Sequence, residues 1–212
     1  MTVLFEDSRI KISRLRLGPW GTNAYVLVCN KTQASLVVDA PAEAGTIVAE
    51  LRGTKPVLIL LTHSHLDHIG AMTELRNKLK VPLACHPSDA SPLESPPEHR
   101  LKHGEVLSLG SLEIKVLHTP GHTPGSLCFL VNGQLVSGDT LFPGGPGKTR
   151  SSGDFTQILR SLSERVFSLP DDTRVYPGHG ETTVLKTEKA EFAAFSSRPH
   201  SPDLHGDVLW RS

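Results

Sequence analysis

The chain has 212 residues, enough for one α/β domain with a substantial buried core, and a single domain over residues 1–212 is the expectation. Lysine plus arginine and aspartate plus glutamate both number 22, so no global field gathers phosphates or anionic lipid, and a nucleic-acid partner is set aside. The opening stretch MTVLFEDSRIKISRLRLG scatters charge where a secretory leader needs an unbroken apolar core, and the longest apolar run, Val57–Leu61, is too short for a bilayer. No membrane association and a cytoplasmic location are therefore expected.

In chain order, Asn23–Cys29 and Leu36–Asp39 are β-branched or aliphatic runs bounded by turn formers and read as strands. Glu43–Arg52 carries apolar residues at helical spacing. Val57–Thr62 reads as a strand, followed by a helix over Ile69–Leu79 with Ile69, Met72, Leu75 and Leu79 on one face. The stretch from His86 to Pro97, rich in Pro and Ser, predicts a surface loop. Three more strands are expected at Leu112–Leu117, Leu127–Val131 and Leu135–Ser137. A second surface loop follows over Phe142–Gly153, holding Gly144, Gly145, Pro146 and Gly147. Then come a helix over Phe155–Phe167, a strand over Arg174–Tyr176 and a helix over Leu185–Phe195. From about Ser196 the tail is irregular, with Val208, Leu209 and Trp210 placed to dock on the body. Cys29, Cys85 and Cys128 lie far apart in no paired spacing and read as reduced core residues. This order predicts an α/β fold of two sheets with helices packed outside, in preference to one doubly wound parallel sheet.

The strongest chemical signal is Thr62-His63-Ser64-His65-Leu66-Asp67-His68, directly after one apolar strand and directly before a helical pattern. Residues two apart in an extended segment point the same way, so His63 and His65 are able to approach one ion together. Asp67 and His68 follow where the chain turns, and are aimed at a second point. Three further candidates sit at other strand ends: His122 in His-Thr-Pro-Gly-His-Thr-Pro-Gly, Asp139 in Ser-Gly-Asp-Thr, and His179 in Pro-Gly-His-Gly. Glycine and proline there form sharp loops that let the backbone come close to a site. Five imidazoles and two carboxylates suit two zinc ions, with iron and manganese left open.

A lone histidine in a polar or proline-rich stretch is ordinary surface, and His86, His99, His103, His200 and His205 are read that way. His118 neighbours His122 and is assigned a supporting hydrogen bond instead of a metal. Four ligand-type side chains at one strand end do not fit the same explanation, because they would leave several buried polar groups unpaired.

At these residues the chain resembles the metallo-β-lactamase superfamily, particularly its glyoxalase II-like hydrolases. His63, His65, Asp67 and His68 match the motif His-x-His-x-Asp-His, and His122, Asp139 and His179 match the downstream His, Asp and His. The likeness extends to Gly18-Pro19, Thr22-Asn23-Ala24-Tyr25, Val37-Val38-Asp39 and Gly138-Asp139-Thr140-Leu141-Phe142. It implies a four-layer αββα sandwich of two mixed sheets with outer helices. It also implies that His63, His65 and His122 hold a first metal, that Asp67, His68 and His179 hold a second, and that Asp139 bridges both. Asp39 would be a buried support or a structural strand-end carboxylate.

The expected activity is hydrolysis of a small thioester or ester by hydroxide shared between two metals, with Asp67 orienting the hydroxide or accepting its proton. No Gly-x-Ser-x-Gly elbow is present. About thirty residues follow His179, where glyoxalase II proper carries a helical domain contributing to glutathione binding, so a compact relative is expected. Lys148 and Arg150 are candidates for a substrate carboxylate. Asp139 counts against β-lactams, since β-lactamases of this fold usually carry Cys or Ser there. Other readings are a mono-iron persulfide dioxygenase, an acyl-homoserine lactonase, and a ligand-sensing module with a slow metal site. The partner is a small molecule; oligomeric state is not legible.

Overall fold

The computed structural model describes residues 1–211, and Ser212, the last residue of the expected domain, lies outside them. Its first sheet runs β1 (Thr2–Glu6), β2 (Ile10–Leu17), β3 (Thr22–Cys29), β4 (Ala34–Val38), β5 (Lys55–Leu60), β6 (Leu83–Cys85) and β7 (His99–Arg100), hydrogen-bonded in that order. The pairs from β1 to β4 are antiparallel and those from β4 to β7 parallel. Between the parallel strands lie α1 (Ala44–Glu50), α2 (Leu66–Ile69) and α3 (Met72–Leu79).

The second sheet holds β8 (Val106–Leu109), β9 (Leu112–His118), β10 (Leu127–Val131), β11 (Gln134–Gly138), β14 (Arg174–Pro177) and β15 (Thr183–Val184), in the order β15-β14-β11-β10-β9-β8. A small hairpin of β12 (Leu141–Phe142) and β13 (Gly145–Pro146) follows β11, and α4 (Ser152–Ser161) and α5 (Leu185–Ser196) complete the chain.

Alternation of side chains builds three apolar layers. In β3 every residue is buried, because Tyr25, Leu27 and Cys29 face the second sheet while Ala24, Val26 and Val28 face α1 and α3. From the second sheet Ile114, Val116, Phe129 and Tyr176 meet them. Its outer face packs Cys128, Leu135 and Val175 against Phe155 and Ile158 of α4 and Leu185 and Phe195 of α5. Each fully buried aliphatic or aromatic side chain contributes about 1.5–3 kcal/mol. The result is the expected four-layer αββα sandwich of two mixed sheets. Val208 and Trp210 of the tail are buried on the α5 side, while Leu209 is exposed. The three cysteines are unpaired and buried.

Several local features differ from expectation. Strands β1 and β2 occupy the charged opening stretch, where Ile10 and Ile12 point inward and Lys11 lies between them. The helix expected over Ile69–Leu79 is two helices. It starts earlier, at Leu66, so Asp67 and His68 lie in a first helical turn, and it breaks at Gly70 and Ala71. The break has a cause in the segment after β4: Ala40 donates its N–H to the His68 carbonyl and accepts the N–H of Ala71, both at 2.9 Å. A Cβ on Gly70 would lie 2.4 Å from the Pro41 carbonyl oxygen. The two expected surface loops are also partly interior, with Gly145, Pro146, Gly147 and Thr149 buried in one and Asp89 in the other.

Candidate metal centre

All seven predicted ligand residues meet at one edge of the sandwich, just past the ends of β5, β9, β11 and β14. His63 and His65 follow β5, and Asp67 and His68 open α2. His122 lies in the β9–β10 turn, Asp139 after β11 and His179 after β14. Rigid strands therefore aim side chains carried by loops.

Two triads result. The ring nitrogen His122 Nε2 lies 2.9 Å from His65 Nδ1 and 3.3 Å from His63 Nε2. Opposite them, Asp67 Oδ2 lies 3.0 Å from His179 Nε2 and 3.6 Å from His68 Nε2. Asp139 stands between: its Oδ1 is 3.4 Å from His68 Nε2, and its Oδ2 is 3.5 Å from His122 Nε2 and 3.7 Å from His179 Nε2. Within each of the groups His63-His65-His122, His63-His68-Asp139 and Asp67-His68-His179, the donor atoms lie within 4.8 Å of one another. Exposure is graded, from buried His63 and His68 through Asp139 at 11% to Asp67 at 24% and His179 at 31%. The centre opens to solvent on the Asp67 and His179 side and along a groove lined by Ser64, His65, Asp89, His122 and Arg150.

The rings are oriented from behind. Asp39, in a left-handed backbone conformation at the end of β4 (φ 62°), accepts His68 Nδ1–H at 2.7 Å, the Thr62 hydroxyl at 2.7 Å and the Thr62 N–H at 2.8 Å. Because the Thr62 hydroxyl proton goes to Asp39, its oxygen accepts from His63 Nδ1 at 3.1 Å. One carboxylate thus turns Nε2 of both His68 and His63 toward the centre, a hydrogen-bonding role that orients ligands in metal sites. His122 does the same by donating Nδ1–H to the Lys148 carbonyl at 2.8 Å. His118 donates Nε2–H to the Pro124 carbonyl at 2.9 Å, supporting the His122 loop, and His86 stacks on it with centroids 4.0 Å apart.

The His179 loop is held across the sandwich by residues of β2 and β3. Asn23 Nδ2 and the Tyr25 hydroxyl donate to the Pro177 carbonyl at 2.9 and 2.6 Å, and Arg14 donates to the Gly180 carbonyl and to Glu181, both at 3.0 Å. Nothing in the sequence flagged Arg14, whose neighbours read as scattered charge. Two glycines bring backbone against the centre. Gly138 has φ 48°, and a Cβ there would lie 2.6 Å from Thr62 Oγ1. A Cβ on Gly178 would sit 2.1 Å from Asp139 Oδ1 and 2.7 Å from His68 Cε1.

Electrostatically the centre is a negative carboxylate inside a ring of imidazoles. Burial pushes the Asp139 carboxyl up, but the adjoining His68, His63 and His122 outweigh it and hold the group well below the usual carboxylate range. His63 is lowered well below the ordinary imidazole value by burial and then by His68. His68 is also penalised by burial, yet Asp39 and Asp139 raise it to about 10. Two buried atoms, His68 Nε2 and Asp139 Oδ1, make no hydrogen bond although they face each other. Unpaired polar atoms cost about 1–3 kcal/mol each in a protein interior, and a cation between them would satisfy both. The donor set therefore fits divalent metal.

Known proteins share the sequence and the fold that carry this site. The family described as the metallo-beta-lactamase superfamily matches residues 17–179. A probable metallo-hydrolase, YqgX of Bacillus subtilis, is 33% identical over 85% of this chain and 95% of its own. The hydroxyacylglutathione hydrolase GloC of Haemophilus influenzae is 30% identical over 77% of this chain and 88% of its own. Among solved structures, the BLEG-1 B3 metallo-beta-lactamase is 32% identical with a TM-score of 0.78, over 84% of this chain and 96% of that one. TTHA1623 in a di-iron-bound form is also 32% identical, with a TM-score of 0.72 over the same shares.

Proposed function

This chain belongs to the metallo-beta-lactamase superfamily, and on that premise we propose that it is a binuclear metal-dependent hydrolase of a small thioester or ester, of the hydroxyacylglutathione hydrolase type. The observation that supports this most is the facing pair of unsatisfied buried atoms, His68 Nε2 and Asp139 Oδ1, at the junction of two triads of ligand atoms. In this reading His63, His65 and His122 hold one ion, Asp67, His68 and His179 hold the other, and Asp139 is shared. Two divalent ions bound there would supply a water of near-neutral pKa and polarise the scissile carbonyl.

The chain's own groups do the rest. Asp67, oriented by the Thr22 hydroxyl at 3.1 Å, positions the attacking water and takes its proton. No side-chain nucleophile is needed, and the three thiols are buried. Arg150 Nη2 lies 3.3 Å from His65 Nε2 and makes no ion pair among the described residues, so its guanidinium is placed for an anionic group of the substrate. Lys148 is paired with Asp207 at 3.6 Å and is the weaker candidate for that role. Five imidazoles and two carboxylates suit zinc, and iron or manganese also; the di-iron form of TTHA1623 makes iron one arm of any test.

The test is turnover by protein loaded separately with zinc, iron or manganese, on S-lactoylglutathione, an acyl-homoserine lactone and a cephalosporin. Thioester hydrolysis by the two-metal form is expected. The cephalosporin arm answers to the BLEG-1 likeness. Cleavage of the cephalosporin or the lactone without thioester turnover would reassign the substrate, and oxygen uptake on glutathione persulfide with one iron bound would overturn hydrolysis itself.

A further inference from the structure

Asp89 is a buried carboxylate, 3% exposed, in a stretch where the sequence shows a Pro- and Ser-rich loop. It ends a single 3-10 turn (Pro87–Asp89) that follows β6, and no cation pairs with it among the described residues. Every hydrogen bond its carboxylate accepts comes from a donor on one of two other loops. Asp89 Oδ2 accepts the N–H of Ser64 at 2.9 Å and the Ser64 hydroxyl at 3.4 Å. The same oxygen accepts the Thr123 hydroxyl at 2.9 Å, while Oδ1 accepts the N–H of Gly125 at 2.7 Å.

The positions of those donors matter. Ser64 lies between His63 and His65, and Thr123 directly follows His122. The Thr123 hydroxyl gives its proton to Asp89, so at 2.8 Å it accepts from Ser126, whose oxygen in turn accepts the Thr123 N–H at 3.1 Å. One carboxylate therefore joins the His63-Ser64-His65 segment of the first sheet to the His122 turn of the second. Beside this link, the Leu127 N–H donates to the Thr62 carbonyl at 2.8 Å, tying the start of β10 to the residue that precedes His63. Gly125 shows how little room the contact leaves: its backbone is not in the left-handed region, yet a Cβ there would lie 2.4 Å from Asp89 Oδ1.

We propose that Asp89 is the positioning residue of the His63-His65-His122 triad, the counterpart of Asp39 behind His68, and that it sets the affinity of that triad for its ion separately from the Asp67-His68-His179 set. This rests on the metal-centre reading above. It differs from a purely structural role because the two ion-binding sets are predicted to respond unequally.

The experiment is titration of metal-depleted protein with zinc against a chromophoric chelator, resolving two binding steps. In Asp89→Ala one step is expected to weaken by about 10–100-fold, the usual range for groups that orient ligands, while the other keeps its affinity. Asp89→Asn keeps an acceptor for one loop and should fall between that variant and the parent. Gly125→Ala should reproduce the Asp89→Ala pattern by displacing the carboxylate, and the double variant should be no worse than Asp89→Ala, since both act through one contact. If Asp89→Ala folds poorly, Thr123→Val, which removes one hydroxyl and keeps the shape, should still weaken the same step. A parent with no tight zinc overturns the metal-centre reading and this inference with it. Two tight steps in the parent with equal weakening of both, or of neither, in Asp89→Ala, Gly125→Ala and Thr123→Val overturn the inference alone.

Discussion

The two sheets contribute to the centre in different ways. The first gives four side chains from one six-residue stretch, His63, His65, Asp67 and His68, where a parallel strand ends and a helix begins. The second gives three, His122, Asp139 and His179, each from a different strand end and separated by tens of residues. The contiguous half is set by local geometry, with period-two pointing along the extended segment and a helical turn after it. The dispersed half has no geometry of its own until β9, β10, β11 and β14 pair, so its precision must come from supports: the Lys148 carbonyl behind His122, glycines beside Asp139, and a clamp of Arg14, Asn23 and Tyr25 on the His179 loop. The second half should therefore be more sensitive to changes in residues that are not ligands.

The largest effect is expected from the residue that joins the halves. Asp139→Ala should lower kcat/KM by about 10³-fold, the upper end of what one preorganised electrostatic group contributes, and should weaken both zinc-binding steps. Next comes Gly178→Ala, which puts a methyl group 2.1 Å from Asp139 Oδ1. A displacement of about 1 Å at a reacting centre costs about 10²-fold, and steady-state kinetics would show that loss in kcat. Asp39→Asn should act on the contiguous half, turning His68 and, through Thr62, His63. Metal affinity should drop about 10–100-fold in a chelator titration. The smallest catalytic effect belongs to Trp210→Ala. This change removes an indole packed on Phe192 and Phe195 and hydrogen-bonded to Glu188 at 3.2 Å, costing about 3–5 kcal/mol of stability in thermal melts and leaving kcat of the folded fraction unchanged.

His68 also predicts a pH dependence. Asp39 and Asp139 raise it to about 10 against the effect of burial, so metal-depleted protein holds a proton on each ring nitrogen at pH 7. An ion at Nε2 must displace that proton. Zinc binding should therefore release a proton at neutral pH and tighten as pH rises toward 10, which calorimetry in buffers of different ionisation enthalpy measures. For folding the sign is opposite: the raised value stabilises the metal-depleted protein below the ordinary imidazole range, and that contribution fades as pH rises through about 10.

Much of the fold was legible because β3, β5, β10 and α5 carry their periodicity locally, and the seven candidate ligand residues stood out because four crowd one strand end and glycine and proline mark the loops that hold the other three. What escaped had physical reasons. Ile10 and Ile12 alternate with charged residues, so β2 reads as solvated until its second face is covered. The helix break at Gly70 is imposed by the Ala40 backbone, which is distant in sequence. Asp89 lies among prolines and serines, and only the donors of Ser64, Thr123 and Gly125 give it a role. Arg14 depends in the same way on the far loop it clamps.

The central claim, two ions sharing Asp139, is tested most directly by anomalous-scattering maps from crystals of the metal-loaded protein. Two peaks about 3.5–4 Å apart are predicted, one about 2.0–2.2 Å from the ring nitrogens of His63, His65 and His122 and the other at the same distance from Asp67, His68 and His179, with Asp139 reaching both. A single peak that leaves Asp67 and His179 without metal, or none among these residues, would contradict it.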